Sequence, residues 1–289
     1  MNAPERSGRH LLLRNRGMSL IWLGQTLSQV GTRMYQITLV WWIITHGGSG
    51  KEVGLFMVLG ALPSLLLVKA VGRTVDAAPS KRVLVICDLL SFALVAFMAW
   101  ACWTERLSLA WVFLSSFLVA AFQAFFDPAL NKAVAELVDP KDLEEAVSLQ
   151  SSTQSLASFG GAMAGALLID RLGIPGVVAL NALSYLVSAG ANALILFPKK
   201  APAAREEETS TASAWAVLRA APWLKQVLFG FGFVNFFLTP FLVILPLYAK
   251  ESLGGGATLL GALEAALWLG LLAGTLGSKH FTLDRKSVV

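Results

Sequence analysis

Long apolar runs alternate with short polar and charged segments along the 289 residues of this chain. A helix needs roughly 20 apolar residues to cross a bilayer. Eight runs meet that requirement, and we number them spans 1 to 8 in chain order: 18–45, 53–72, 82–103, 107–126, 146–169, 173–197, 224–249 and 256–278. The pattern predicts an all-α polytopic membrane protein.

The longest break between apolar runs separates six spans from two. Residues 198–222 contain Pro198 and Pro202, an acidic run from Glu206 to Glu208 and a Ser/Thr stretch, a composition typical of a flexible linker. We therefore expect an amino-terminal six-helix bundle over 1–197, a cytoplasmic linker over 198–222, and two helices of a second bundle over 223–289.

An internal similarity supports this division. The segment GGSGKEVGLFMVLGA from Gly47 aligns with GGGATLLGALEAALW from Gly254, and the same offset carries the start of span 1 onto the start of span 7. Parallel repeats of this kind occur in secondary transporters, although the identities are few and coincidence is the alternative. If six helices form one repeat, we expect a full-length protein to have four more helices than this chain; a native stop here would favour an inactive fragment.

Composition agrees with lipid as the solvent, since 56% of residues are hydrophobic and 14% charged, against roughly 25% charged in soluble domains. The net charge of +5 is spread between the apolar runs, so nucleic acid is not an expected partner. Fourteen basic residues lie in segments on the amino-terminal side of the membrane, and only Lys51, Arg106, Arg171 and Lys250 lie in the opposite loops. The positive-inside rule therefore places the amino terminus in the cytoplasm, and a bacterial plasma or inner membrane is the expected location.

Span 1 contains the first candidate site. Gln25, Gln29, Arg33 and Gln36 fall within about 80° of each other on a helix that turns about 100° per residue. Because an arginine inside the bilayer is penalised by about 2.5–3.5 kcal/mol, this stripe must face protein or water. We interpret it as the lining of a substrate pathway; the alternative is that it binds a neighbouring helix through hydrogen bonds.

Span 8 contains a second embedded charge, Glu264. Counted from the external ends of their spans, Arg33 and Glu264 both lie in the outer half of the bilayer. We expect Glu264 to pair with Arg33 or to act as a titratable coupling or substrate-recognition group, and we include Asn235 of span 7 in the same pathway. A purely structural ion pair is the alternative.

Two pairs of glycines have the G-x-x-x-G spacing that lets helices approach closely. Gly161 and Gly165 form the pair in span 5, and Gly270 and Gly274 form the pair in span 8. We predict that these glycines mediate helix packing, with spans 5 and 8 contacting each other.

The segment between spans 2 and 3 has a recognisable pattern: Gly72 is followed by Asp76 and by the basic pair Lys81-Arg82, with Asp88 two turns later. It resembles the G-x-x-x-D-R-x-x-R-R/K loop of the major facilitator superfamily, although Ala77 replaces the usual arginine. Segments in span 1 (GQTLSQVGTRMYQITLVWWIITHGGSG), after span 4 (FFDPALNKAVAELV) and after span 7 (LPLYAKESLGGGA) are similar to the macrolide and siderophore exporter branch of that family.

The resemblance implies that two six-helix bundles rock about a central cavity and that Gly72, Asp76, Lys81, Arg82 and Asp88 belong to a cytoplasmic gate. Many drug–proton antiporters of the family also have an arginine in span 4 and G-P in span 5. Residues 107–126 contain no arginine, and this chain has Gly161-Ala162 in place of G-P. Protons are nevertheless the expected coupling ion.

Other chemistries have little support in the sequence. His10, His46 and His280 are far apart and lie outside the spans, so we expect no metal site. The pattern G-x-x-x-x-G-K-[S/T] is absent, and no nucleophile and base occur together in a known motif. We therefore expect neither a catalytic residue nor a cofactor, and the chain is not predicted to be an enzyme.

The sequence thus predicts a secondary active transporter, in contact with membrane lipid, that exports hydrophobic or amphipathic small molecules of the drug or siderophore type by alternating access. Two alternatives remain. One is a lipid or lysophospholipid translocator of the same fold, and the other is an inactive fragment or a membrane protein that does not transport.

Overall fold

The computed structural model describes residues 11–12, 14–197, 219 and 221–278, and this part of the chain is helical without strands. The predicted linker therefore lies outside the described residues, apart from its last few positions, as does the end of the chain beyond 278. The helices are α1 (Arg16–Thr45), α2 (Gly50–Leu66), α3 (Val68–Ala77), α4 (Ser80–Trp103), α5 (Leu109–Leu137), α6 (Leu143–Leu194), α7 (Pro222–Leu247) and α8 (Ala257–Ser278).

Helix α6 covers the predicted spans 5 and 6. Its 52 residues would measure about 78 Å at 1.5 Å per residue, more than twice the roughly 30 Å of a hydrocarbon core. Gly173 interrupts the helix with φ 67° and ψ 174°, a conformation that glycine adopts without steric cost, and Pro175 follows. The two halves, 143–172 and 174–194, match the predicted spans 5 and 6 and are joined at Gly173.

The predicted span 2 is not one straight helix. Helices α2 and α3 meet at Leu67 with a bend of 56°, one turn after Pro63, which cannot donate a backbone hydrogen bond. Helix α3 is amphipathic: Val71 and Val75 are buried and Asp76 is exposed. The prediction of a loop from Gly72 to Asp76 is therefore wrong, because the buried valines hold this segment in a helix.

Length and apolarity identify four described helical segments able to cross a membrane, or five if α2 and α3 count as one bent span. One of the four, Pro140–Leu194, contains the break at Gly173. Helix α1 is not among them, since its polar stripe lowers its mean hydropathy. Helix α8 counts only as a shorter apolar helix, Ala257–Gly270. The count of eight crossings stays a prediction.

The two segments of the internal similarity share a backbone feature. Gly47, after α1, and Gly254, before α8, have φ of 84° and 61°. Both values lie in the left-handed region that favours glycine. The equivalent glycines of the predicted repeats thus end their preceding helical segments in the same way.

Two apolar clusters form the core of the first six-helix unit. A polar layer lies between them, part-way along the lengths of the helices. One cluster joins the amino-terminal part of α1 to α3, the start of α4 and the end of α5; it includes Met18, Val75, Leu84 and Leu130. The other joins the end of α1 to α2, the end of α4, the start of α5 and the second half of α6; it includes Leu39, Val53, Met98, Val112 and Val178.

Helix α1 approaches α6 closely at two glycines. A Cβ added to Gly161 would lie 2.7 Å from Arg33 Cβ and 2.9 Å from the Val30 carbonyl oxygen, and one added to Gly165 would lie 2.9 Å from Met34 Cα. Separations this short are closer than side-chain atoms tolerate, so both positions require glycine. The glycine pair of span 5 therefore packs against α1.

The structure corrects the predicted helix-packing role of Gly270, in the glycine pair of span 8. No described atom lies within 4 Å of a Cβ added to Gly270, and the surroundings of Gly274 lie outside the described side chains. Helix α8 does pack on α6, but through Gly261, where an added Cβ would lie 2.3 Å from Ala166 Cβ. The G-x-x-x-G spacing therefore does not identify the glycine through which α8 packs, because Gly261 belongs to no such pair.

The glycine contact can be tested with neighbouring positions. We expect Gly161→Ala to lower the thermal midpoint of the detergent-purified chain, because overpacking of this kind is unfavourable by about 1–3 kcal/mol. Gly160→Ala is the matched control, since a Cβ there meets no described atom within 4 Å and gains the same helix propensity. Equal midpoints for the two variants would contradict the close approach of α1 and α6.

Candidate functional site

A cavity of about 300 Å³ occupies the polar layer between the two apolar clusters. Its wall includes the whole predicted stripe of α1, Gln25, Gln29, Arg33 and Gln36, which therefore meet at one site. Helices α2, α4, α5 and α6 provide the other walls. The cavity thus lies inside the first six-helix unit, beside the contact between α1 and α6.

The side chains of this stripe bond mainly to each other. Gln29 Nε2 donates to Gln25 Oε1 at 3.4 Å, and Arg33 donates to Gln36 Oε1 at 3.0 Å. Gln25 Nε2 and Gln29 Oε1 are buried and have no partner among the described atoms. Hydrogen bonds from these four residues to neighbouring helices, the alternative considered above, are not found in the described chain.

Asp88 lies in the cavity wall rather than in a cytoplasmic charge cluster. It is 2% exposed, and its Oδ2 accepts hydrogen bonds of 2.8 Å from Ser188 Oγ and from Asn192 Nδ2. Seven residues separate it from Lys81, about 10 Å along the helix, so it reaches the depth of the polar layer. The assignment of Asp88 to the gate is therefore wrong in this structure.

The remaining gate residues do not form an ion-pair network either. Lys81 Nζ donates to the Ile195 carbonyl at 2.9 Å, while Gly72, Asp76 and Arg82 are exposed. The ion pairs in the described ranges lie elsewhere, between Arg14 and Asp142 and between Lys141 and Asp139. The sequence match at this segment thus does not bring its charges together here.

Lys132 of α5 makes a contact that the sequence did not predict. Its Nζ donates to the carbonyls of Val75 at 2.7 Å and Ala78 at 3.1 Å, at the end of α3. A cation is favoured at a helix carboxyl terminus, where carbonyls lack intrahelical partners. Lys132 therefore fixes α3 against α5.

Asp127 is a second residue that sequence reasoning missed. The predicted span 4 stopped at 126, whereas α5 continues to Leu137 and places Asp127 in the cavity wall. Its carboxylate accepts a hydrogen bond from Gln123 Nε2, one turn earlier. The residue stands in the segment FFDPALNK, directly after the apolar run that predicts span 4.

Tyrosines join the helices around the cavity. Tyr35 OH donates to Ser115 Oγ at 2.9 Å, linking α1 to α5, and Tyr185 OH lies 2.8 Å from Thr32 Oγ1, linking α6 to α1. Both tyrosines are almost fully buried and both line the cavity. They fix the aromatic part of its wall.

A second, larger cleft of about 790 Å³ lies between the first half of α6 and α8. One side carries serine hydroxyls and the other carries Trp268 and Leu269, while Arg33 and Gln154 line both the cleft and the cavity. The serines that line it are Ser148, Ser151, Ser152, Ser155 and Ser158. The cleft is therefore adjacent to the cavity through these two shared residues.

Glu264 and Asn235 are not in the cavity wall. Glu264 is partly buried on α8 and makes no ion pair with Arg33 within 4.0 Å, although the two opposite charges attract each other. Asn235 is exposed and donates to the Phe231 carbonyl of its own helix at 2.9 Å. The expected direct pair of Arg33 and Glu264 is thus not formed, because the guanidinium is oriented towards Gln36.

Contacts near the predicted outer ends join the six-helix unit to the last two helices. Lys250 Nζ donates to the Ile44 carbonyl at 2.6 Å, at the end of α1. Thr258 Oγ1 donates to Asp170 Oδ2, between the start of α8 and the end of the first half of α6. Gly261 packs on Ala166 in the next turn of α8. We call these three contacts the outer latch.

The described residues contain no group of three or more His, Cys, Asp or Glu side chains that could hold a metal ion. What the site offers is a polar, partly charged cavity inside an apolar helical bundle.

Comparison with known proteins gives one family match: the Major Facilitator Superfamily, over residues 21–287. Macrolide efflux protein A of Streptococcus pyogenes is 23% identical over 260 residues, 89% of this chain and 64% of that protein. Multidrug efflux pump Tap of Mycolicibacterium fortuitum is 27% identical over 164 residues, covering 53% of this chain and 39% of the pump. The chain therefore spans less than two thirds of the length of these relatives.

A solved structure shares the fold. It is the crystal structure of a bacterial homolog to the human lysosomal transporter Spinster in an inward-facing and unoccupied conformation, with a TM-score of 0.69 and 16% sequence identity. The alignment covers 96% of this chain and 64% of that one. This likeness establishes the helical membrane fold.

The position of the cavity predicts which face of α1 contacts water. In a variant lacking Cys87 and Cys102, we expect Gln29→Cys to react with a charged, membrane-impermeant thiol reagent, because Gln29 lines the polar cavity. Leu27→Cys is the control: Leu27 is 51% exposed, but it lies on the lipid-facing side of α1 about 160° away. Faster labelling at position 27 than at position 29 would contradict the orientation of α1.

Proposed function

This chain belongs to the major facilitator superfamily, whose members are membrane transport proteins and not enzymes, and on that premise we propose that it is a secondary active exporter of hydrophobic or amphipathic small molecules. The observation that carries the proposal is the cavity between two apolar clusters. Polar groups from α1, α4 and α5 converge there inside a helical bundle surrounded by lipid.

The wall composition supports an amphipathic substrate. Ligand cavities combine mainly apolar walls with a few placed polar groups that fix orientation. Here the cavity wall combines the amides of Gln25 and Gln29 and two carboxylates with aromatic rings such as Phe56 and Phe122. The printed names of two relatives, a macrolide efflux protein and a multidrug efflux pump, support the same class of substrate.

The arrangement of the two units supports alternating access. The outer latch joins them at one end, while the cleft between α6 and α8 separates them towards the other. We propose that this is the conformation open to the cytoplasm, with the amino terminus cytoplasmic and the protein in a bacterial plasma or inner membrane. Asp76, Lys81 and Arg82 remain proposed members of a cytoplasmic gate that forms in the opposite conformation.

Protons are the proposed coupling ion. Asp88 and Asp127 line the cavity and bond only to neutral donors in the described chain, so each carboxylate can exchange a proton with the cavity. Glu264 on α8 is a third proposed coupling group, close enough to Arg33 for their charges to attract. None of these roles requires a cofactor.

Reconstitution tests the exporter proposal. We expect proteoliposomes containing the chain to accumulate a radiolabelled macrolide when a pH gradient is imposed, and a protonophore to abolish the accumulation. Protein-free vesicles are the control, and competition by lysophospholipid rather than by macrolide would favour the lipid translocator. If neither the chain alone nor the chain with a supplied second half accumulates any substrate, the exporter proposal is wrong.

The outer latch makes a separate prediction. Lys250→Met removes a charge-assisted hydrogen bond worth about 1.5–3 kcal/mol, so we expect the population with an open outer end to rise about 10- to 150-fold. Spin labels on the outer ends of α1 and α8, measured as distance distributions, report this change. Lys51→Met is the control, since Lys51 is an exposed lysine at the same end, and an equal shift in both variants would contradict the latch.

A further inference from the structure

We propose that Lys132 of α5 is a positioning residue of the cytoplasmic gate: it supplies the cation that the carboxyl end of α3 lacks and fixes the helix that presents Asp76. The inference rests on the proposed function, since the gate belongs to the proposed alternating access. Three features of the molecule support it: the way α3 ends, the carbonyl groups left without donors there, and the place of Lys132.

Pro79 ends α3. The residue before a proline is disfavoured in the helical region, and Ala78 is accordingly extended, with φ −97° and ψ 150°. The amide of Ala78 still donates to the Thr74 carbonyl at 2.9 Å. The next donor in the helical pattern would be residue 79, and proline has no N–H. The Val75 carbonyl is therefore left without an intrahelical donor.

Lys132 reaches this end of α3 from α5. Its ammonium donates to the carbonyls of Val75 at 2.7 Å, Ala78 at 3.1 Å and Asp76 at 3.5 Å. An ammonium has three N–H donors and no acceptor, so these three carbonyls match its hydrogen-bonding capacity. The shortest contact is made to the carbonyl that Pro79 leaves without a donor.

The carboxyl end of α3 has no cation of its own. Its last turn contains no basic residue, and the position at which the resembling loops have an arginine is Ala77. Carbonyls at the carboxyl end of a helix carry partial negative charge, which a nearby cation stabilises. Lys132 thus provides from α5 the positive charge that this segment is missing.

The ammonium of Lys132 is bonded to carbonyl oxygens and not to a carboxylate. Glu136 lies one turn later on α5, yet the two side chains form no ion pair within 4.0 Å in the described part of the chain. Because Lys132 is partly buried, its charge is tolerated only with hydrogen-bond partners. The end of α3 provides those partners, so the lysine and the helix stabilise each other.

This contact determines how Asp76 is presented. Val71 and Val75 pack in the apolar cluster that α3 shares with α5, whereas Asp76 is exposed. Lys132 holds the backbone carbonyl of Asp76 and leaves its carboxylate without an ion pair among the described residues. The carboxylate therefore lies on a fixed helical turn at the surface, where a group of the opposite unit can bind it.

Amide hydrogen exchange of α3, measured by mass spectrometry on the purified chain in detergent, tests the proposal. Lys132→Met removes the ammonium, so we expect the amides of 68–77 to exchange at least about tenfold faster, because a charge-assisted hydrogen bond is lost. Lys132→Arg keeps the cation and should keep the protection. The double variant Lys132→Met, Ala77→Arg should restore most of it, because a basic side chain in the last turn can bond to the terminal carbonyls.

Matched controls separate this role from general stability. Lys69→Met removes the charge of an exposed lysine on α3 itself and should leave exchange unchanged, and the amides of α4 should exchange at the same rate in every variant. Unchanged exchange of α3 in Lys132→Met, an equal increase in Lys69→Met, or no recovery with Ala77→Arg would overturn the proposal. An increase that extends to α4 would assign Lys132 to overall stability and overturn it as well.

A spin label at position 76 tests the link to the gate. In a variant that lacks Cys87 and Cys102, we expect a label on Asp76→Cys to become more mobile with Lys132→Met and to recover with Ala77→Arg. Unchanged mobility of this label, in variants whose α3 exchanges faster, would separate Lys132 from the presentation of position 76 and contradict the gate role.

Failure of the exporter proposal gives a different result. If vesicles transport nothing while α3 exchanges faster in Lys132→Met and recovers with Ala77→Arg, export is overturned and the positioning of α3 stands. If vesicles export a substrate while exchange of α3 is unchanged in Lys132→Met, the positioning role is overturned and export stands.

Discussion

The close approach of α1 to α6 is the contact on which the site depends. Gly161 and Gly165 allow the backbone of α1 to lie against α6 at Arg33 and Met34. With α1 held there, its polar stripe faces the bundle interior, as a polar stripe in lipid must. A larger residue at either glycine would move the stripe, so the cavity depends on two positions that carry no polar group.

The cavity follows from this constraint together with the two apolar clusters on either side of it. The clusters fix the ends of α1, α4 and α5, and the polar layer between them cannot close because its amides and carboxylates have few partners within the bundle. Asp88 of α4 and Asp127 of α5 both reach this layer from different helices. The proposed exporter needs this internal polar space. It also needs a contact between the two units, the outer latch, that can break and form again.

Much of the architecture was predictable from local pattern, because a backbone in lipid must be helical and a polar stripe must be turned inward. Which helices contact each other was not predictable. G-x-x-x-G spacing indicated packing at Gly161 but could not identify α1 as the neighbour, since that choice depends on the whole bundle. Asp127 was not predicted because it lies just beyond the apolar run of span 4, and Asp88 was assigned to the gate because a sequence match does not specify depth along a helix.

The central claim is that an amphipathic molecule binds inside the first six-helix unit, against the stripe of α1. An electron cryomicroscopy structure of the chain in a lipid nanodisc, with a heavy-atom-labelled amphiphile, tests it most directly. We expect ligand density between Gln29 and Asp127, in the cavity bordered by Tyr185. Density confined to the lipid-facing surface, with the cavity closed or empty at saturating ligand, would contradict it.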